Sequence, residues 1–521
     1  MKKIVLSAYV FISGFTFFAQ NNPCKEVVGY YPNWQWYDRN KLVNPQTIDY
    51  SKYSILNYSF FEPLANGTIK ITDPWADKNL LLGPINWAVA PSGYDSSYDF
   101  GNPAYHHPNQ KMSDYCHLNG VKFLPSIGGW TLSQNFPSIA ADPTKRQTFS
   151  QSCVDLIEAF NFDGIDLDWE YPGFADHGGT AQDEQNFTLL LQEIRTAIDA
   201  YGQSVGKPML LTIAVSADPS KMDDVEWDNV EPLVDMINLM SYDFFGAFDN
   251  FTNHNSPLYA PTSGNSAFNC DVAVTSLITT YSVDPQKINL GIAFYGRSQK
   301  TGSTPQLHVS STGQADLITF QVDEGTPLYY NVLLKQNLFT RFWDDNAKVP
   351  YLLGNGGLNT FLSYDDEESV GLKAEYIVEK NLKGAIIWEI TGDYIETAPG
   401  SGIISHTPLV DTLNSVLCNY IPQDTTSGGG SGGGTGTNSL TENELANFSV
   451  YPNPAKEICT VQFSEGIQGI EIYSLEGKLV TTRTYSGEQK ISLKTTDFPS
   501  GKYLLKVASA SSSKQIKLTI H

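Results

Sequence analysis

A chain of 521 residues, 41% of them hydrophobic, is long enough for two or three domains and a large core. Its formal charge of −23 and isoelectric point of about 4.7 argue against nucleic acid or an anionic membrane surface as partner, while a neutral polymer would be indifferent to it. Six cysteines without one C-x-x-C pair give no common zinc or thiol-redox motif.

Residues 1–19 read as a signal peptide. Lys2 and Lys3 precede an apolar run from Ile4 to Phe18, too short for a membrane span, and Ala19 is a small residue suited to cleavage. Phe17 fits poorly two positions before the cut, so the cleavage point can shift slightly. No later stretch is long and apolar enough to cross a membrane, so none is expected in the mature protein. In an exported chain some cysteines can pair. Cys116 and Cys153 fall in helix-like runs that could be neighbours, but spacing leaves the connectivity open.

From residue 20 to 421 short apolar runs alternate with amphipathic helical ones. The strand-like runs are 26–31, 54–60, 121–127, 164–169, 209–214, 236–241, 288–294 and 384–388. Eight strands with helices between them predict an α/β fold, the (β/α)8 TIM barrel, whose active sites lie at the C-terminal ends of the strands. Several runs end in aromatic and hydrogen-bonding residues: Tyr30 to Trp34, Tyr58 to Phe60, Gly128 to Trp130, Met240 to Asp243, Phe294 to Arg297, and Trp388-Glu389. One aromatic at a strand end is usually core packing. A ring of them suits a sugar, whose flat faces stack on aromatic rings while its hydroxyls meet polar groups.

The fourth run carries the chemistry. In Asp163-Gly164-Ile165-Asp166-Leu167-Asp168-Trp169-Glu170-Tyr171-Pro172, period two puts Ile165, Leu167 and Trp169 on one face and three carboxylates on the other. A strand between helices is buried on both faces, where three acids are costly unless they share protons. Next neighbours on that face are roughly 6–7 Å apart, so at least one pKa should rise, as a general acid requires. An acidic loop or calcium site is the competing reading. Calcium ligands favour a flexible loop with Asn and Gly, whereas Leu167 and Trp169 suit a stiff strand.

The spacing Asp163-x-x-Asp166-x-Asp168-x-Glu170 resembles the signature of glycoside hydrolase family 18, the chitinases, and the likeness extends over roughly residues 26–415. Ser126-x-Gly128-Gly129 resembles the family's second signature. The resemblance implies that Glu170 is the proton donor, that Asp166 shares a proton with Asp168, and that Asp168 and Tyr242 orient the substrate's acetamide. It further implies that Tyr30, Phe60, Gly129, Met240, Asp243, Tyr295, Arg297 and Trp388 line the sugar subsites. Trp34 would stack a sugar toward the non-reducing end, and Trp130 one on the leaving-group side. Residues 301–363, too long for a plain connection, resemble the small α+β insertion of one branch of the family.

Residues 422–439, nearly all Gly, Ser and Thr, form a linker with a mean reach of roughly 20 Å. Its glycines lack the Lys and the strand–helix frame of a phosphate loop. Residues 440–521 carry strand-like runs at 448–450, 458–463, 469–473, 489–493, 503–507 and 514–520, the pattern of an all-β sandwich. A carbohydrate-binding module would fit that pattern. No tryptophan follows Trp388, however, and Tyr451-Pro452-Asn453-Pro454, residues 472–478 and residues 500–507 resemble the C-terminal sorting domain of the type IX secretion system.

The reading is thus a secreted or cell-surface, monomeric chitinase. It acts on chitin or chitooligosaccharides without metal or organic cofactor, and its tail engages the secretion machinery. An endo-β-N-acetylglucosaminidase acting on glycoproteins and a non-catalytic chitin-binding lectin are the alternatives. Lectins of this kind usually lose the acid, and Glu170 is present.

Overall fold

Each apolar run predicted as a barrel strand is a strand, within one to three residues at either end. A computed structural model describes residues 24–91, 102–418, 448–451, 458–474, 479–499, 501–509 and 513–520. The strands are β1 (Glu26–Pro32), β2 (Ile55–Pro63), β3 (Lys122–Gly128), β4 (Gly164–Asp168), β5 (Leu210–Ser216), β6 (Met236–Met240), β7 (Ile288–Ala293) and β8 (Gly384–Trp388). Every neighbouring pair is parallel, and β1 pairs with both β2 and β8, so the sheet closes on itself. Closure removes both edges and gives each strand an inner and an outer face.

The outer face of β4 is the apolar one. Trp169, just past its end, stacks on Phe136 at 5.4 Å and meets Phe187 edge-on at 5.7 Å. Phe187 belongs to the helix Asp183–Val205, whose buried face also carries Leu190, Leu191, Ile194 and Ile198. On the other side lies the helix Pro143–Phe160. Asp142 caps it by accepting from the N–H groups of Thr144 and Lys145, Pro143 takes its first turn, and Asn161 ends it in the left-handed region at φ 59°. Inside the barrel, Val28, Ile55, Leu124, Met236 and Ile386 form one apolar cluster. It leaves the polar and acidic inward-facing side chains of β3 to β6 toward the mouth.

An antiparallel sheet stands beyond β7. Its strands run in the order Phe339–Asp344, Val349–Gly354, Thr360–Ser363, Arg297–Lys300, with a helix at Tyr329–Lys335. It is the α+β body read from residues 301–363, and its first strand starts a few residues earlier, at Arg297, because that strand pairs with Thr360–Ser363.

Cys24 and Cys418 are joined by a disulfide, which ties the two ends of the described barrel unit together. Cys116 and Cys153 are not paired. Each is a buried thiol on a core-facing helical position.

Residues 424–521 form a separate unit. Its strands Phe448–Tyr451, Ile458–Ser474, Leu479–Lys494, Gly501–Ala508 and Ser513–Ile520 are antiparallel and make one hydrogen-bonded sheet around a core that includes Val461, Phe463, Ile470, Ile472, Leu505, Val507 and Leu518. The runs at 458–463 and 469–473 are one bent strand. Its register shifts between Gln462 and Gly469, and Gly466 sits at φ 80°, so the sequence there reads as a turn. The signal peptide at 1–19, the linker at 422–439 and part of the tail motif (452–457, 475–478 and 500) lie outside the described residues. Among the described residues, no helix is long and apolar enough to cross a membrane.

Candidate active site

Three acids, at residues 166 and 168 on β4 and at residue 170 just past its end, each have a different environment. Asp166 is level with Ser126 on β3 and Thr212 on β5. One of its oxygens accepts from the hydroxyls of Tyr30 and Ser126, both at 2.8 Å. The other accepts from Thr212 Oγ1 at 2.5 Å and Asn238 Nδ2 at 3.0 Å. Those donors come from four other strands, which is why no local pattern announces them. Burial pushes the pKa of Asp166 up, and the donors pull against it.

Asp168 is the reverse case. It is equally buried, but its Oδ1 has no hydrogen-bond partner among the described residues. Burial, then the charges of Glu170 and Asp166, hold its carboxyl well above the usual range. Its backbone carbonyl is tied down, accepting from the Gly129 N–H at 2.8 Å and from Ser133 Oγ at 3.3 Å. This explains Gly128-Gly129. Gly128 has φ 112°, and a side chain there would lie 2.2 Å from that same carbonyl oxygen, so the β3 end can approach β4 only without one.

Glu170, two residues past the strand, reaches the cleft. Its N–H donates to Ser133 Oγ at 2.9 Å. The Tyr171 hydroxyl and the Trp130 backbone N–H act on its carboxyl as donors that lower its pKa. Burial raises its pKa to about 7, against those two donors and the Lys221 charge; the charge of Asp243 adds to the rise.

Tyr242 and Asp243 follow β6. Burial, and then the charge of Asp168, raise the Tyr242 hydroxyl pKa, and both residues line the same cleft. Asp243 sits at φ 59°, unusual for a residue with a side chain, and its N–H donates to Asn255 Oδ1 at 3.0 Å. Its carboxylate accepts from the Tyr295 hydroxyl and Arg297 Nε, both at 2.5 Å.

The cleft around these groups has a volume of about 1310 Å³. Trp388 lies at its base, stacked on Phe60 at 5.6 Å, with Tyr30 at 5.7 Å and Trp34 at 6.3 Å. Trp34 is 47% and Trp130 53% exposed, so neither is core packing. They follow different strands: Trp34 follows β1, while Trp130 follows β3 and packs beside Tyr171, Phe174 and His177. Peptide bonds 59–60, 170–171 and 388–389, all at the cleft, are cis.

Of the residues singled out in the sequence, Tyr30, Trp34, Phe60, Trp130, Asp168, Glu170, Met240, Tyr242, Asp243, Arg297 and Trp388 line the cleft. Asp166 lies beneath it. Tyr295 stands behind Asp243, and Gly129 packs under the Phe60 ring, where a side chain would come within 2.8 Å. Sequence reasoning missed Tyr171, Asn33, Asp73, Lys221 and Phe248, which also line it. Only Tyr171 carried a signal, standing next to the acid. Among the described residues, no cluster of His, Cys, Asp and Glu is arranged to hold a metal.

The sequence model of "Glycosyl hydrolases family 18" matches residues 26–393, and that of "Secretion system C-terminal sorting domain" matches residues 449–521. The chain is 35% identical over 409 residues to Chitinase A1 of Niallia circulans, covering 71% of this chain and 57% of that protein. It is 34% identical over 369 residues to Endochitinase 1 of Metarhizium robertsii, covering 70% and 80% respectively. Among solved structures, catalytic domain 2 of the Ostrinia furnacalis Group II chitinase, a mutant crystallised with penta-N-acetylchitooctaose, superimposes with a TM-score of 0.64. It is 26% identical and covers 76% of this chain and 96% of that one.

Proposed function

The chain belongs to glycosyl hydrolase family 18 and ends in a secretion system C-terminal sorting domain, and from that premise we propose that it is an exported chitinase cleaving β-1,4-linked N-acetylglucosamine with help from the substrate's own acetamide. The observation that carries the proposal is the pairing of Asp168 and Glu170. One is a buried carboxyl with an unpartnered oxygen, the other an acid held half-neutral near neutral pH, and both open into a cleft floored by Trp388.

In this mechanism Glu170 donates its proton to the glycosidic oxygen as the bond to the leaving sugar breaks. The acetamide oxygen attacks the anomeric carbon from the opposite face, in place of the enzyme carboxylate used by most retaining enzymes. Asp168 receives the acetamide N–H on its free oxygen. The Tyr242 hydroxyl donates to the acetamide oxygen and so aims it. As positive charge develops on the ring that forms, Asp168 offsets it, while the proton it shares with Asp166 keeps two adjacent buried charges from coexisting. When Asp168 carries that negative charge the shared proton rests on Asp166, whose pKa burial has raised. Glu170, now a carboxylate, then takes a proton from water, whose oxygen opens the ring from the face the leaving group vacated. Two inversions give net retention.

Trp388 supports the sugar at the cleavage point, Trp34 one further toward the non-reducing end, and Trp130 one on the leaving side. Asp243, fixed by Tyr295 and Arg297, meets hydroxyls or the acetamide rim. The long aromatic cleft and the α+β wall suit a linear polymer better than a branched glycoprotein glycan. Purified protein tested on soluble chitooligosaccharides and on a high-mannose glycoprotein separates the two: release of short oligosaccharides from the first alone is expected, and release of glycan from the second alone would overturn the reading.

A further inference from the structure

We infer that His177 is a positioning residue that ties the proton donor to the leaving-group platform, so that occupancy of the platform and delivery of the proton are set by one side chain. The inference rests on the reading of Glu170 and Trp130 given above.

His177 lies on the loop after β4, seven residues past Glu170. Its Nδ1 is 2.6 Å from the Glu170 carbonyl oxygen. A carbonyl can only accept, so Nδ1 carries the hydrogen in either charge state of the ring. The Glu170 main chain is thereby held on both sides, its N–H by Ser133 Oγ and its C=O by His177. The same imidazole lies 4.7 Å from the Trp130 ring and 5.1 Å from Phe174. Trp130 is more than half exposed, so His177 and Phe174 back the ring rather than bury it. The backbone N–H of Trp130 also acts on the Glu170 carboxyl, lowering its pKa. A shift of the indole is therefore felt at the acid through the imidazole and the Glu170 carbonyl. In the sequence His177 sits in an undistinguished loop, Gly173-Phe174-Ala175-Asp176-His177-Gly178, and nothing in its spacing points to this role.

The two contacts can be cut separately. The amide nitrogen of Asn stands where Nδ1 stands in His, so His177→Asn keeps the donor and removes the ring. His177→Phe keeps a ring against Trp130 and removes the donor. Steady-state kinetics on chitotetraose and chitohexaose, with thermal melting of each variant, read the result. His177→Asn is expected to raise KM about fivefold, with the smaller effect on kcat, because the stacking platform loses its backing. His177→Phe is expected to lower kcat about tenfold, with the smaller effect on KM, because the acid drifts from its line to the glycosidic oxygen. Equal changes in kcat and KM for both variants, or losses that simply follow melting temperature, would overturn the inference. A wild-type protein inactive on both oligosaccharides would instead refute the chitinase reading beneath it.

Discussion

Glu170 is 9% exposed, and removing its carboxylate from water favours the neutral form. Burial comes first among the causes of its pKa of about 7, ahead of any neighbouring charge, whereas the acid spacing alone had suggested charge repulsion. The charge that adds to the rise, Asp243, comes from another strand end and is invisible in the local motif. Glu170→Gln removes the proton and keeps the size. It should lower kcat on chitooligosaccharides by about a thousandfold or more while calorimetry still finds them bound. Asp168→Asn should cost about a hundredfold, since the acetamide loses its orienting carboxylate. For the wild type, kcat should fall as pH rises through about 7, because the proposed mechanism needs the protonated acid. Stability has the same sign. A carboxyl whose folded pKa lies above its unfolded value stabilises the fold fully below the unfolded value, and loses that contribution as pH rises through the folded one. Glu170→Gln cannot charge, so its melting temperature should gain on the wild type between about pH 5 and about pH 8. A constant difference across that range would mean that the acid titrates normally.

At the scale of elements, the eight strands were legible because parallel strands covered on both faces read as unbroken apolar runs. The acids were legible because β4 and the two residues after it carry three carboxylates, Asp166, Asp168 and Glu170, where every other barrel strand has at most one. What could not be read is what other elements bring to them. Thr212, Asn238 and Ser133 join the site through register and loop path, and an isolated Thr, Asn or Ser has no periodicity to betray it. The bent strand Ile458–Ser474 was missed in part because a bulge and a turn use the same glycines. The strand ends also set the reach of the cleft. Trp34 and Trp130 are both exposed at the cleft, and stacking a sugar on either is worth about 1–2 kcal/mol. Trp34→Ala should therefore harm chitohexaose and insoluble chitin more than the shortest cleavable oligosaccharide. An equal loss on all substrates with a lower melting temperature would assign Trp34 to packing instead.

On the scale of the whole molecule, the chain divides into a unit of residues 1–423 and a unit of residues 424–521. All the groups that line the cleft belong to the first. The second has its own apolar core and matches a sorting domain, so it should act as an address. Deleting residues 440–521 should leave turnover of soluble oligosaccharides unchanged and trap the protein within the cell envelope. Normal export of the truncated chain, or a selective loss on insoluble chitin, would contradict that assignment. The composition changes abruptly at residues 422–439, and the two family matches, at 26–393 and 449–521, fall on either side of that stretch.

The chemistry of the whole reaction turns on which group attacks the anomeric carbon, and product stereochemistry reports it directly. Nuclear magnetic resonance of the first products from a chitooligosaccharide, recorded before mutarotation and paired with an assay on fully deacetylated chitosan, is the decisive measurement. The account predicts β products from the acetylated substrate and no cleavage of the deacetylated one. First-formed α products, or rapid cleavage of the deacetylated polymer, would contradict it.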